Sequence, residues 1–267
     1  MEKVVKLWSG ASAAAIGVLA MSAGAASAQG ENVSGSMGLS YNTNFVSYGL
    51  DVWGGGTEFF GSRSTVFAWG DVAFDFDPVV INVGVWADIN DNAPSSIGGN
   101  FQEIDWYAGA TYTAGIFSLG ATYQEWNYAA DVERIVDLKV AWDDSGYMPI
   151  SLAPSITWHI RIDGNGAQDE GSAIVASIAP SVPVGPASLA FPIGVALFVD
   201  DDFQGGTDGG LAYGYFGGSL GLPVASGAYG AWTLTTDLIY YTTDGDAIPG
   251  NVAGGFLTGS VGIKVAF

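Results

Sequence analysis

The chain repeats, segment after segment, a side-chain alternation of period two. Between 256 and 267, Leu257, Val261, Ile263, Val265 and Phe267 fall on one side, and Thr258, Ser260, Gly262, Lys264 and Ala266 on the other. Successive side chains of a strand point to opposite faces, so each such segment has one apolar and one polar face. Between 150 and 162, Ile150, Leu152, Pro154, Ile156, Trp158, Ile160 and Ile162 stand against Ser151, Ala153, Ser155, Thr157, His159, Arg161 and, one residue on, Asp163. Twelve segments carry this signature, near 33–42, 64–76, 79–89, 103–113, 116–127, 132–142, 150–162, 172–182, 188–199, 211–222, 229–242 and 256–267. Each approaches the ~9–11 residues that a tilted strand needs to cross a bilayer.

Composition narrows the class. The chain has 9 Trp, 12 Tyr, 14 Phe and 40 Gly, a mixture that favours strands over helices. It has no Cys, hence no disulfide framework and no thiolate metal site. Seven basic residues stand against 27 acidic ones, a balance that repels nucleic-acid phosphate.

Between the segments, connectors alternate in length. Those after the second, fourth, sixth, eighth and tenth are mostly short. Those after the first, third, seventh, ninth and eleventh are longer and rich in Gly and Asp, while the one after the fifth breaks the pattern. Short turns at one end and long loops at the other mark a transmembrane barrel, and an even strand count places both termini with the short turns. A soluble barrel or sandwich would carry Lys and Glu on its polar faces. Here those faces are mostly Ser, Thr, Gly and Ala, and aromatics such as Phe74, Tyr112, Trp142, Trp158 and Tyr240 sit near strand ends, where interfacial girdles belong. The expectation is an all-β, twelve-stranded antiparallel transmembrane barrel in one domain, 29–267.

The N-terminus fits export. Lys3 and Lys6 precede a run of small apolar residues, and Ala26-Ser27-Ala28 offers a cleavage site, so 1–28 reads as a signal peptide. An uncleaved membrane anchor is the alternative. The terminal Phe267, on the apolar face of the last segment, resembles the closing strand of bacterial outer-membrane barrels, whose final Phe is read by the barrel assembly machinery. The blocks "YNTNFVSYGLDVWGG", "VVINVGVWADIND" and "FQEIDWYAGATYTAGIFSLGATYQEWNY" resemble the TorF-type porins over residues 33–142. That resemblance implies a porin of undefined solute in the bacterial outer membrane, reached through the periplasm, with lipid and lipopolysaccharide as surroundings. It departs at Tyr48, where members of the family tend to carry Arg before the glycine.

Candidate lumen residues follow from parity: Asp71, Asp105, Glu133, Asp137 and Asp237, against Lys139, His159, Arg161 and Lys264. A catalytic row at His159, Arg161 and Asp163 is the weaker reading, because no Ser is placed beside the single histidine and no second histidine makes a metal pair. An inner ion-pair network fits better, and no enzyme activity is expected. Loop clusters Asp163-Gly164-Asn165-Gly166, Asp88/Asn90/Asp91, Asp200-Asp201-Asp202 and Asp244/Asp246 invite divalent cations but lack full calcium-loop spacing, and no cofactor is expected. The functional expectation is a channel for passive diffusion of small solutes, biased toward cations. A closed structural or adhesion barrel with ion-binding acidic loops is the alternative. Residues 43–63, with Trp53, Phe59 and Phe60, form the loop expected to plug the pore if any does.

Overall fold

The computed structural model describes residues 32–128, 131–164 and 170–267. The signal-peptide reading of 1–28, and part of the Asp163–Glu170 cluster, lie outside the described residues. Twelve barrel strands follow in order: Val33–Asn42, Thr65–Asp75, Val79–Ile89, Phe101–Ala114, Phe117–Tyr128, Asp131–Trp142, Ser155–Asp163, an eighth in two pieces (Gly171–Ile178 and Ser181–Val184), a ninth in two pieces (Ala187–Ala190 and Ile193–Phe198), Gly210–Gly227, Gly230–Thr243 and Gly255–Ala266. The breaks in strands eight and nine fall at Pro180 and Pro192, which have no N–H to give to the ladder. Their carbonyls still accept, from Phe191 N at 2.8 Å and Gly217 N at 3.0 Å, so the wall is continuous.

Each strand pairs antiparallel with its neighbours in sequence, and strand one pairs with strand twelve. The sheet therefore closes on itself and leaves no free edge, as a membrane-spanning sheet requires. Outward residues are apolar and exposed along the wall, among them Met37, Leu39, Val83, Val85, Leu119, Leu138, Ile156, Val195, Leu238 and Ile263. Their sequence neighbours face a lumen. This inverted arrangement, greasy outside and polar inside, is that of a transmembrane barrel.

Ten of the twelve strands begin and end within a few residues of the positions expected from the alternation. Strand seven starts at Ser155 instead of 150, because Asp144 gathers the Ser151 hydroxyl, Leu152 N at 2.8 Å and Ala153 N at 3.2 Å into a capped turn. Strand ten runs on to Gly227 through a bulge after Pro223. The turn between strands four and five is two residues long, with Gly115 at φ 63°, a left-handed position that glycine adopts without a Cβ clash.

Counting across the turns predicts Glu125 opposite Arg134 between strands five and six, and Glu133 opposite His159 between strands six and seven; the second differs in the structure. A short turn at 143–149 would set Glu133 opposite His159. The longer capped turn sets Asp137 opposite His159 and Ile135 opposite Arg161. The shift is an even number of residues, so side chains from Ser155 to Arg161 keep their faces. The strand five–six pairing is as expected, with Glu125 opposite Arg134 on the outer face and joined at 3.2 Å.

Candidate functional site: a lumen plugged by the first loop

The first long loop, 43–64, enters the barrel. After strand one the chain buries Thr43, Asn44, Phe45 and Val46, then forms a minimal hairpin, Val46–Ser47 against Leu50–Asp51. Its tip is Tyr48 (φ 44°) and Gly49 (φ 80°). Positive φ at both central residues is the type I′ geometry that matches strand twist. A tyrosine there is strained and persists only where its surroundings fix it.

Those surroundings are the lumen wall. The Tyr48 hydroxyl meets His159 Nδ1, and its ring stands against His159, Trp126 and Phe203, the last edge-on at 5.7 Å. Gly49 sits so tightly that a Cβ would lie 2.6 Å from the Tyr213 ring and 2.8 Å from Ile248 Cδ1. Two further loops hold the hairpin from above. Asn251 accepts from Asp51 N and donates to Gly49 O, both at 2.8 Å, and Gln204 Nε2 donates to Ser47 O at 3.0 Å. Phe203, Ile248, His159, Ile135 and Glu133 are 0–1% exposed, so water is excluded from this level of the lumen wall.

Beneath the plug lies a connected polar network. His159 Nδ1 is also 2.7 Å from Asp137 Oδ1, and Gln124 Nε2 donates to Asp137 Oδ2 at 2.8 Å. Trp126 Nε1 in turn donates to Gln124 Oε1 at 3.1 Å. Beside it, Arg161 Nε donates to Glu133 Oε2 at 3.2 Å and Nη1 to Phe203 O at 2.8 Å, with its guanidinium carbon 4.4 Å from the Phe203 ring centre. The Tyr128 hydroxyl donates to the same Glu133. Removing one member of a buried pair such as Arg161–Glu133 costs roughly 3–5 kcal/mol, so the wall here is rigid.

The adjoining wall, on strands three and four, is acidic. Asp88 accepts from Thr65, from Asn90 Nδ2 at 3.0 Å and from the loop's own Trp53 Nε1 at 2.9 Å. Glu103 faces Asp88 across strands three and four, and Asp105 lies two residues further, between Trp86 and Trp126 in register. Asp105 is 8% exposed and its Oδ1 has no hydrogen-bond partner. Toward the short-turn end the lumen side chains are smaller and half-exposed. Asp71 takes Ser36 Oγ at 2.9 Å, and Asp237 takes Ser219 and Ser260. Lys139 and Lys264 line the same level. The nine residues placed in the lumen by parity thus all point inward, in two tiers. Asp105, Glu133, Asp137, His159 and Arg161 are buried, while Asp71, Lys139, Asp237 and Lys264 are only partly buried.

Two expectations are corrected. Asp163 does not join the inward row, because strand seven bulges at Ile162 and turns Asp163 outward onto Arg134. The aromatics that enter the lumen are Phe45 and Tyr48. Trp53, as expected, also turns inward, donating to the buried Asp88 and packing on Phe45, Phe67 and Trp86, whereas Phe59 and Phe60 lie on the outer wall. Of the acidic loop clusters, Asp200 accepts from Ser172 N at 2.6 Å and Asp244 from Asp246 N at 2.8 Å, which are loop-shaping contacts. Among the described residues no group of three or more His, Cys, Asp or Glu is arranged to hold a metal ion. Glu103, readable from its parity with Asp105, and Asp88, which belongs to strand three and not to a loop, complete the acidic wall.

Burial pushes the Asp51 carboxyl above its ordinary value of 3.8, against the amide of Gly56 at 2.6 Å and Asn44 at 3.2 Å. Asp51 is thus relatively better tolerated neutral in the docked hairpin. Its contribution to docking is complete below the ordinary value and is lost as pH rises through the raised one. Acid should therefore favour the docked loop. Thiol labelling of S47C, in the docked hairpin, is expected to slow as pH is lowered through the acid range beyond the slowing of a free-thiol control, and D51N should flatten that excess; an unchanged slope in D51N would assign the effect elsewhere. Tyr48, whose hydroxyl burial and the Asp137 charge push well above its ordinary 10, stays neutral throughout.

No family model matches the chain, and no curated protein matches it. Among solved structures it is similar to a KdgM porin in complex with disordered oligogalacturonate (TM-score 0.48, 8% identity, 88% of this chain and 99% of that one). It is also similar to the translocator domain of the autotransporter NalP from Neisseria meningitidis (0.42, 12%, 90% of each). A mutant porin of Rh. blastica aligns at 0.34 and 12% identity over 75% of this chain and 55% of that one.

Proposed function

We propose that this barrel is an outer-membrane, porin-like channel for small solutes, biased toward cations and held closed at its long-loop end by the first loop. One observation carries the reading. Five carboxylates on barrel strands, Asp88, Glu103, Asp105, Glu133 and Asp137, are buried in the lumen against only His159 and Arg161 among the described residues. A purely structural core has little reason to hold such an excess, because buried charge is costly unless paired. A cation path does, because low-dielectric walls focus the field of such groups. The TorF-type resemblance over 33–142 and the signal-peptide reading of 1–28 belong to the same proposal, with export through the periplasm and insertion by the barrel assembly machinery.

The plug favours a second reading, a closed barrel whose loops do the work. Planar-bilayer recording separates the two. A channel shows conductance steps once the loop is released; a structural barrel shows none in either form.

Orientation is tested with thiols, which the chain lacks. In intact cells V252C, in the loop after strand eleven, should react with an impermeant maleimide. Y147C, in the capped turn, should react only after the outer membrane is opened. Equal labelling of both would reverse or void the assignment.

A further inference from the structure

The same loop that enters the lumen also crosses to the other side of the wall. After the hairpin, residues 57–61 pass over the rim and lie on the outer face of strands one and twelve. The Phe60 ring stacks on Tyr41, 5.5 Å between centres and 9° from parallel. Phe59 covers Gly259, which is buried although its outward neighbours Leu257 and Val261 are exposed. A Cβ at Gly259 would lie 2.6 Å from Phe59 Cζ, so the glycine makes the seat. The two rings are edge to face at 4.8 Å.

The tip is built to hold them there. The Glu58 carboxylate turns back to accept Ser62 N at 3.1 Å, and its Oε1 would lie 1.9 Å from a Cβ at Gly61. Arg63 Nη1 is 3.4 Å from Asn92 O, tying the return to the next loop. Phe60 has φ 50°, a conformation rare for an aromatic residue and kept only where packing enforces it. Yet Phe59 and Phe60 remain 45% and 43% exposed, beside the equally exposed Tyr41 and Val261. An apolar patch of this kind in water is a liability. Here it continues the barrel's lipid-facing band at the long-loop end, between polar residues Glu58 and Arg63.

We propose that Phe59 and Phe60 are a membrane anchor for the plug, inserted among the acyl chains of the outer leaflet next to the headgroups. The loop is then a clasp over the barrel wall. Its inner arm is fixed at Tyr48 and its outer arm is solvated by lipid, so the membrane itself holds the plug's second attachment. The anchor depends on the transmembrane fold and not on whether the barrel conducts.

The test uses F60C carrying a polarity-sensitive fluorophore, in phosphatidylcholine vesicles containing lipid spin-labelled near the headgroup. L39C, on the lipid face of strand one, and V252C, exposed in a loop, are the references. The label in F60C should be quenched by the spin-labelled lipid several-fold more than in V252C, and protected from aqueous iodide as in L39C. The unlabelled F60C thiol should react with a charged reagent as slowly as L39C, which removes any influence of the fluorophore. In G259L, where the added side chain evicts Phe59, lipid quenching in F60C should drop by half or more while heat-modifiable gel migration stays normal. Iodide quenching and fast thiol reaction equal to those of V252C would overturn the anchor. Full lipid quenching surviving in folded G259L would overturn the Gly259 seat.

Discussion

Truncating Tyr48 to Ala is expected to turn a mostly closed barrel into a mostly open one. The side chain contacts His159, Trp126 and Phe203 and caps a hairpin that already carries backbone strain at its own φ. Removing a large buried aromatic costs roughly 3–5 kcal/mol. At about 1.4 kcal/mol per decade, the docking equilibrium of the hairpin should move on the order of a hundredfold or more toward release. The strands do not depend on the hairpin for their ladder, so the barrel should keep its β-type circular dichroism and heat-modifiable migration. Planar bilayers should then show long-lived conductance steps that are rare in the unaltered protein. Deleting 44–56 across a Gly-Ser linker should reproduce the open level without flicker. A deletion variant that folds, inserts and gives no steps would rule out a channel and leave the closed structural barrel.

The pattern of what was legible follows from the range of each interaction. Alternation is local, so strand identity and face were readable, and all nine lumen candidates point inward. Register is set by turns. The strand six–seven joint was displaced because Asp144 builds a capped turn from side-chain and backbone contacts up to nine residues away, which no spacing rule reveals. The bulge that turns Asp163 outward is the same kind of event, one extra residue in one strand. The plugging loop was identifiable by its length and aromatic content. Which of its aromatics enter the lumen depends on the Tyr48-Gly49 turn meeting Tyr213 and Ile248, partners about 165 and 200 positions away in sequence. In the sequence Tyr48 stands out only where the chain departs from the TorF-type resemblance, yet it is the residue on which the plug closes. Prolines 180 and 192 interrupt the eighth and ninth strands without opening the wall, because they fall where the ladder asks for carbonyls.

Selectivity should depend on the buried tier more than on the loops. In the plug-released barrel, the cation-to-anion permeability ratio is expected to exceed one at low salt, since the buried carboxylates outnumber the buried bases on the strands. It should fall as salt rises, because the Debye length shrinks from about 30 Å at 0.01 M to about 3 Å at 1 M. D105N is the most informative single change. Asp105 Oδ1 has no hydrogen-bond partner, and the carboxyl's other contacts, with the Glu103 side chain and the Asn127 backbone, are ones an Asn side chain can keep. Neutralising Asp137 instead strips His159 and Gln124 of their acceptor, and would mix selectivity with stability. D237N tests the partly buried tier, where the carboxylate is shared by two serines. The expected order of effect on reversal potential is D105N, then D237N, then neutralisation of Asp201 in its loop. Arg161 offers the counter-case. It is tied to Glu133 and to the Phe203 carbonyl beneath the docked loop, and once the loop leaves, its guanidinium loses the Phe203 ring and carbonyl if that loop moves too. Anion preference at low salt, unchanged by D105N and abolished by R161M, would show that this freed guanidinium governs the constriction and that the acidic wall does not.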